Sequence, residues 1–437
     1  MKRLLLTGLA LAALSLSACQ KATTSDGSEG YGPDPKMPAA KTSALPTVNA
    51  RQAIGWARDA APVPAEGLKV ARFAEGLEHP RWLYALPNGD ILVSESNSPP
   101  RESKGLTAMV AKNMMKKAGA GVPSPNRITL LRDSDGDGVA ELKVPFITGL
   151  NSPSGMVLVG AQLFVANTDS VLVFDYAEGA TKIEGAGKKI ADLPATGSNG
   201  HWARNIIAAK DGSKLYVAVG SSSNIADEGL EVEKDRAAIL EMNLDGSGRR
   251  VFASGLRNAN GLGWEPVTGQ LWAAVNERDM IGHDTPPDYM TVVKDGGFYG
   301  WPWSHWGQTV DDRVQPANPA MVAKALKPSY GLGAHTASLG IHFYGGALLP
   351  QAWRGGVFVA QHGSWNRDPP SGYRVIYVPF AAGNPSGGPV VVLDGFLNGK
   401  KEAQGRPVAI VEDKAGGLLV SDDVGNIIWR VTPSAVP

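Results

Sequence analysis

Asn205-Ile206-Ile207-Ala208-Ala209-Lys210-Asp211-Gly212-Ser213-Lys214-Leu215-Tyr216-Val217-Ala218-Val219-Gly220 is a short apolar run, a turn, and a second short apolar run. Neither run is long enough for a helix, and Asp211-Gly212 supplies the positive-φ residues that a tight hairpin needs. The same phrase occurs five more times. Arg81–Leu86 is followed by Ile91–Glu95, Gly155–Val159 by Leu163–Asn167, and Gly261–Trp264 by Leu271–Glu277. Leu339–Phe343 is followed by Val357–His362, and Val408–Val411 by Leu418–Asp422. Hairpin chemistry recurs in Pro87-Asn88-Gly89-Asp90 and Lys414-Ala415-Gly416-Gly417. The second runs begin 52 to 86 residues apart, more than the roughly 40–45 residues of a four-stranded blade. The repeats therefore predict an all-β protein, a six-bladed β-propeller with loop insertions.

The totals agree. The 53 glycines and 31 prolines are spread between apolar runs, as many tight turns require. With 42 basic and 42 acidic side chains, the chain has no electrostatic footprint for nucleic acid. The first eighteen residues read as an export signal: Lys2 and Arg3 precede an apolar stretch, Leu4 to Leu16, too short to span a bilayer. That stretch ends in Leu16-Ser17-Ala18-Cys19, which resembles the bacterial lipobox, whose cysteine is lipidated and becomes the first mature residue. Cys19 is the only cysteine, so no disulfide forms within the chain. Gln20 after it favours an outer-membrane anchor facing the periplasm, with the lipid as the sole attachment to the membrane. Residues 19–46 are polar and small, which reads as a flexible tether reaching roughly 30 Å. The propeller is expected over 47–437. One insertion reads as helical, with Leu106, Met109, Val110 and Met114 on one face and Lys112, Lys116 and Lys117 mostly elsewhere.

In an antiparallel pair, the loop entering the first strand and the loop leaving the second lie at one end. The entering loops carry His79, His201, Arg204, Arg257, Asn258, Asn260, His335 and Arg406. The leaving loops carry Glu95, Asn167, Glu277, Arg278, His362, Asp422 and Asp423. One mouth of the propeller therefore gathers histidines and arginines, a set suited to a ligand with several carboxylates and to proton transfer near neutral pH. Elsewhere, Asp133-Ser134-Asp135-Gly136-Asp137-Gly138 resembles the opening of a calcium loop. The twelfth position, however, is Val144 rather than Glu, so it reads first as an acidic turn and second as an accessory calcium site. Trp301, Trp303 and Trp306 with His305 read first as loop packing and second as a surface for stacking a sugar ring.

Six motifs follow one another in order: Asn199-Gly200-His201-Trp202-Ala203-Arg204-Asn205, Gly255-Leu256-Arg257-Asn258-Ala259-Asn260-Gly261-Leu262, Asn276-Glu277-Arg278-Asp279-Met280, Gly297-Phe298-Tyr299-Gly300-Trp301-Pro302, His362-Gly363-Ser364-Trp365-Asn366-Arg367 and Gly405-Arg406-Pro407-Val408. Together they resemble the L-sorbosone dehydrogenase branch of the soluble quinoprotein glucose dehydrogenase family. The resemblance spans residues 65–434. It implies a propeller that binds pyrroloquinoline quinone and calcium and oxidises a sugar, sugar aldehyde or related alcohol. By the same resemblance His201 is the general base, Arg257 and Asn258 contact quinone oxygens, and Arg406 meets a cofactor carboxylate. Arg204 and Arg278 join the cofactor-binding set. The family's calcium is held by the backbone carbonyls of a Gly-Pro pair; here Arg278-Asp279-Met280 stands in that place. Asp279 and Met280 are then the expected metal ligands, with Arg278 opposing the ion. No Cys-x-x-Cys-His haem motif is present, so electrons would pass to a separate acceptor. Two alternatives stand beside this reading. One is a calcium-dependent propeller hydrolase of lactonase type, built on Glu95, Asn167, Glu277 and Asp422. The other is a non-catalytic propeller that binds a glycan or a protein.

Overall fold

The computed structural model describes Thr23 and residues 25–41, 48–100 and 113–434. Six four-stranded antiparallel units make up the body. The first contains Pro80–Ala85, Ile91–Glu95, Arg127–Arg132 and Leu142–Ile147; the second Met156–Val159, Gln162–Ala166, Ser170–Asp175 and Lys188–Asp192. The third contains Arg204–Ala208, Lys214–Val219, Ala238–Asn243 and Arg250–Ser254; the fourth Ala259–Trp264, Leu271–Val275, Pro287–Val292 and Tyr330–Ala334. The fifth is Ser338–Phe343, Gly356–Gln361, Arg374–Ala381 and Val390–Asp394. In the sixth, Pro407–Glu412, Leu418–Asp422 and Ile427–Pro433 are completed by Leu68–Glu75 from the other end of the chain, paired from Ile427↔Glu75 to Pro433↔Leu68. The first strands of successive blades touch in an unbroken cycle, so the ring is closed and the protein is the six-bladed propeller that the repeats predict.

Two glycines show how tightly the ring closes. A Cβ on Gly261 would lie 2.5 Å from the Leu339 carbonyl oxygen, and one on Gly340 would lie 2.6 Å from that of Val408. Backbone thus packs on backbone from one blade to the next at the axis, which no larger residue permits. Farther out, aromatic side chains fill the wedge-shaped gaps between blades: Trp272, fully buried, meets Phe343 and Phe380 at 6.2 and 5.2 Å. In four blades the register of the innermost pair shifts at its mouth end, as between Ala259 and Leu262. Such bulges re-aim the residues just before them, here Arg257 and Asn258.

The stretch read as a tether is partly docked. Tyr31–Gly32 pairs with Leu332 and Gly331 as an extra strand on the fourth blade, and the Tyr31 hydroxyl donates to Gln361 Oε1 at 3.0 Å. Composition pointed to a free segment because few side chains there can be buried; backbone pairing at an open sheet edge holds it instead. The expected helical insertion falls mostly on 101–112, outside the described residues; 113–117, with Met114, Lys116 and Lys117, is helical. No described helix is long and apolar enough to cross a membrane. Asp133, Asp135 and Asp137 form a turn closed by their own backbone amides, with Asp133 accepting from Gly136 and Gly138 and Glu141 joining them.

The closing blade is stapled by Trp429, fully buried, whose Nε1 donates to Asp422 Oδ2 at 3.1 Å and whose ring meets Trp56 at 5.3 Å. Trp429→Ala removes this staple and leaves a cavity, so it should cost about 3–5 kcal/mol, measured as a fall in the urea midpoint with the slope unchanged.

Candidate active site at the propeller mouth

The loops entering the first strands and leaving the second do meet at one end, where they enclose two neighbouring cavities. One, of about 150 Å³, is lined by His201, Arg257, Asn258, Glu277, Asp279 and His335, with Asn276, Asp288, Trp365 and Asn366. The other, of about 260 Å³, is lined by His79, Arg81, Trp202, His362, Arg406 and Asp423 among others. Gly200 and Trp202 face the second cavity while His201 faces the first.

His201 is locked in one tautomer. Its Nδ1 lies 2.9 Å from both the carbonyl oxygen and Oγ of Ser221. The Ser221 hydroxyl gives its proton to the Ser223 carbonyl at 2.7 Å, so both oxygens facing Nδ1 accept. Nδ1 therefore carries the hydrogen and Nε2 keeps its lone pair. Burial, then the Arg257 guanidinium, hold His201 well below its usual pKa, and the ring is a neutral base at physiological pH.

Arg257 is buried beside it. Nη1 donates to the Glu277 carbonyl at 2.7 Å, and Nη2 to Asn224 Oδ1 and Asp279 Oδ2 at 2.9 and 2.8 Å. Asp279 also accepts from Asn366 Nδ2 at 2.8 Å. Burial works against its charge, but Arg257, then His335 and His201, outweigh that and hold the carboxyl below its usual range. For His335, burial is likewise outweighed, here by Asp279 and by the Gly282 carbonyl 2.7 Å from Nε2, and its pKa rises. Deeper on the same wall, burial pushes Glu277 up to about 7 and Asp288 up to about 6. Glu277 Oε2 accepts from the Arg278 amide at 2.8 Å, whereas Oε1 has no partner among the described residues.

In the second cavity Asp423 is the shared acceptor, from Arg81 Nη1 at 2.6 Å and His362 Nε2 at 2.9 Å. Arg406 lies over the Tyr373 ring and donates to the His362 and Gly363 carbonyls at 3.0 and 2.6 Å. Burial, then Arg406, push His362 down to about 3.

Of the expected cofactor-binding residues, Arg257, Asn258 and Arg406 line these cavities, and Arg204 and Arg278 do not. Arg204, 0% exposed, donates to the carbonyls of His201, Ala203 and Pro194 and to Asn199 Oδ1, and so buttresses the His201 loop from behind. Arg278, 1% exposed, pairs with Asp311. Asp279, one of the two expected metal ligands, lines the His201 cavity, and Met280 follows it in the same loop. The Asp279 carbonyl already accepts from Asn224 Nδ2 and Arg278 Nη1, its carboxylate is held by Arg257 and Asn366, and Met280 is turned outward, 39% exposed. Three of the four ligands that a metal hydrolase would use are occupied too. Glu95 takes a bidentate contact from Arg127, Asn167 accepts from the Asn151 amide, and Asp422 accepts from Trp56 and Trp429. Trp301 and Trp306 are packed inside, and Trp301 Nε1 donates to the Asn224 carbonyl. Ser221 and Asn224 went unforeseen, because each lies in a loop without a recognisable motif; Trp365 and Asn366 lay inside a quoted motif but had no assigned role.

Comparison with known proteins agrees with this architecture. An uncharacterised protein of Borreliella burgdorferi is 32% identical over 241 residues, 55% of this chain and 62% of that one. A pyrroloquinoline quinone-dependent pyranose dehydrogenase of Coprinopsis cinerea is 25% identical over 362 residues, 72% of this chain and 44% of that one. The chain thus spans less than two thirds of either relative. The holo form of the PQQ domain of the Coprinopsis cinerea pyranose dehydrogenase superposes with a TM-score of 0.68 at 22% identity, covering 85% of this chain and 97% of that one. The family model described as TrAA12-like matches residues 62–292 and 308–434, nearly the whole propeller, and the chain belongs to that family.

Proposed function

We propose that this protein is a quinoprotein dehydrogenase that oxidises a sugar or sugar aldehyde and passes the electrons to a separate acceptor. The observation that carries the reading is His201, a neutral imidazole whose Nε2 has no hydrogen-bond partner among the described residues, on the wall of a cavity that also holds Arg257 and Asn258. Membership of the TrAA12-like family, with relatives named for pyrroloquinoline quinone, supports it.

The residues present fit such a cofactor. Asn258 on one side and Arg406 on the other supply donors for quinone oxygens and carboxylates, while Arg257, whose five N–H groups are taken by Asn224, Asn276, Glu277 and Asp279, shapes the wall between them. Pyrroloquinoline quinone, when bound, supplies the acceptor for the hydride leaving the substrate carbon. His201 Nε2 takes the hydroxyl proton of that carbon, so that the C–OH becomes C=O as the C–H bond breaks. Ser221 holds the ring in the accepting tautomer, and burial, then the Arg257 charge, keep it unprotonated. A calcium ion beside the cofactor would draw on Glu277, whose Oε1 is unpartnered, rather than on Asp279. The Cys19 motif completes the proposal: acyl chains hold the protein on the periplasmic face of a membrane, with the outer membrane favoured by Gln20.

Four measurements test this. Quinone-loaded protein should reduce a dye with some member of a panel of aldoses, sugar aldehydes and alcohols, whereas quinone-free protein should not. His201→Ala should bind the quinone by absorbance yet lose about 10²–10⁴-fold in kcat; unchanged turnover removes His201 from the chemistry. Because burial and then the Arg257 charge hold His201 well below the usual imidazole value of about 6.5, kcat/KM should stay level from neutral pH down past that value, and its acid limb should move up in Arg257→Gln. Finally, a Cβ on Gly220 would lie 2.5 Å from both His201 Cβ and Asn258 Oδ1. Gly220→Ala should therefore displace the base and cost about 10²-fold in kcat/KM with little change in the urea midpoint.

A further inference from the structure

The docked N-terminal segment fixes more than a sheet edge. The Thr23 amide donates to the Asp368 carbonyl at 2.9 Å, and its hydroxyl pairs with the Asp284 carboxylate. Arg367 Nη2 donates to the Ser25 carbonyl at 3.1 Å, and the Lys41 amide to the Ile281 carbonyl at 2.8 Å. Asp368 and Ile281 each stand two residues from a residue that lines the His201 cavity, Asn366 and Asp279. Thr23 is therefore pinned to the rim of the mouth. Cys19 precedes it by only four residues, a length of chain that reaches at most about 14 Å.

The rim carries six partly exposed large apolar side chains. Val48, Ile54, Met115, Val122, Met280 and Trp365 are between 36% and 49% exposed. Their neighbours place them around the mouth. Met115 and Trp365 line the two cavities, the Asn49 amide donates to the Trp365 carbonyl, and the Ala53 amide to the Lys117 carbonyl. Asn97, on the wall of the larger cavity, donates to the Val122 carbonyl at 2.8 Å. Beside Met115, Lys116 and Lys117 stand exposed. Large apolar side chains with lysines at their edge suit the headgroup layer of an anionic bilayer, and the single tryptophan ring suits its interface.

We propose that the mouth of the propeller rests on the membrane surface, with this rim seated among the headgroups of the leaflet that holds Cys19. The proposal rests on the lipid anchor proposed above, and it gives that anchor an orientation: the site faces the lipid and the hairpin end faces away.

The full-length lipidated protein, reconstituted into phosphatidylethanolamine–phosphatidylglycerol vesicles, tests it. With the sole native thiol taken by the lipid, a second cysteine is a unique site for a spin label. Labels at Met280→Cys and Val122→Cys report the rim, and one at Val267→Cys, 73% exposed on a hairpin turn, reports the far end. Relaxation by oxygen dissolved in the lipid, relative to a water-soluble nickel chelate, should be several-fold higher at positions 280 and 122 than at 267. An equal ratio at all three, or a higher one at 267, overturns the orientation while leaving the anchor intact. Failure to float with the vesicles overturns the anchor and the proposal with it. Neither readout needs quinone or substrate, so the dehydrogenase reading stands or falls separately.

Discussion

Backbone-to-backbone packing of six innermost strands around one axis is the constraint on which everything else depends. Gly261 and Gly340 mark how close the approach is: a single methyl group would push one blade off the next. Closure also needs two distant parts of the chain to meet, because Leu68–Glu75 supplies the outer strand of the blade that ends at Pro433. A ring closed this way has no free angular freedom left, so loops at one end are held at fixed distances by a frame they do not themselves form. That is what lets loop residues from blades three, four and five converge on His201 with ordinary hydrogen-bond lengths.

Within the mouth the dominant theme is charge already matched inside the protein. Arg257 with Asp279, Arg81 with Asp423 and Arg278 with Asp311 are buried or nearly so, and each guanidinium also meets a carbonyl, an aromatic face or a second carboxylate. A buried pair of this kind adds little net stability but is costly to break, which keeps side chains in one geometry. The base therefore sits in a field that is set before any ligand arrives. Glu277 Oε1 is the exception on this wall, a carboxylate oxygen with no hydrogen-bond partner among the described residues.

Much of this could be read from the residues. Six apolar–turn–apolar phrases are enough to name the fold, because a hairpin's hydrogen bonds and the period of its side chains are local properties. The mouth follows from topology alone, and His201, Arg257, Asn258 and Arg406 fall where it puts them. The sequence could not separate Arg257 from Arg204, since both occupy Arg-Asn pairs entering a first strand. What divides them is which way the guanidinium turns, and that depends on the carbonyls of Ala203 and Pro194 and on Asn199. Ser221 and Asn224 do their work through a backbone carbonyl and a side-chain amide in a loop without a motif, a signal that only the folded chain carries. Residues 25–41 misled for a related reason. Their composition lacks apolar area, yet they are held by backbone pairing and by Tyr31, which composition does not register.

The two ends of the described chain, Thr23 and Ser434, lie on opposite sides of the ring. The N-terminal segment lies across the rim of the site, while Ile427–Pro433 runs from the mouth to the hairpin end, where the Ser434 amide meets the Gly67 carbonyl. For anyone handling the protein, this makes the termini unequal. A purification tag or fusion partner joined before Thr23 would crowd the doorway through which cofactor and substrate must pass. One joined after Ser434 would hang from the floor, and the same end could fasten the protein to an electrode or bead with its opening outward.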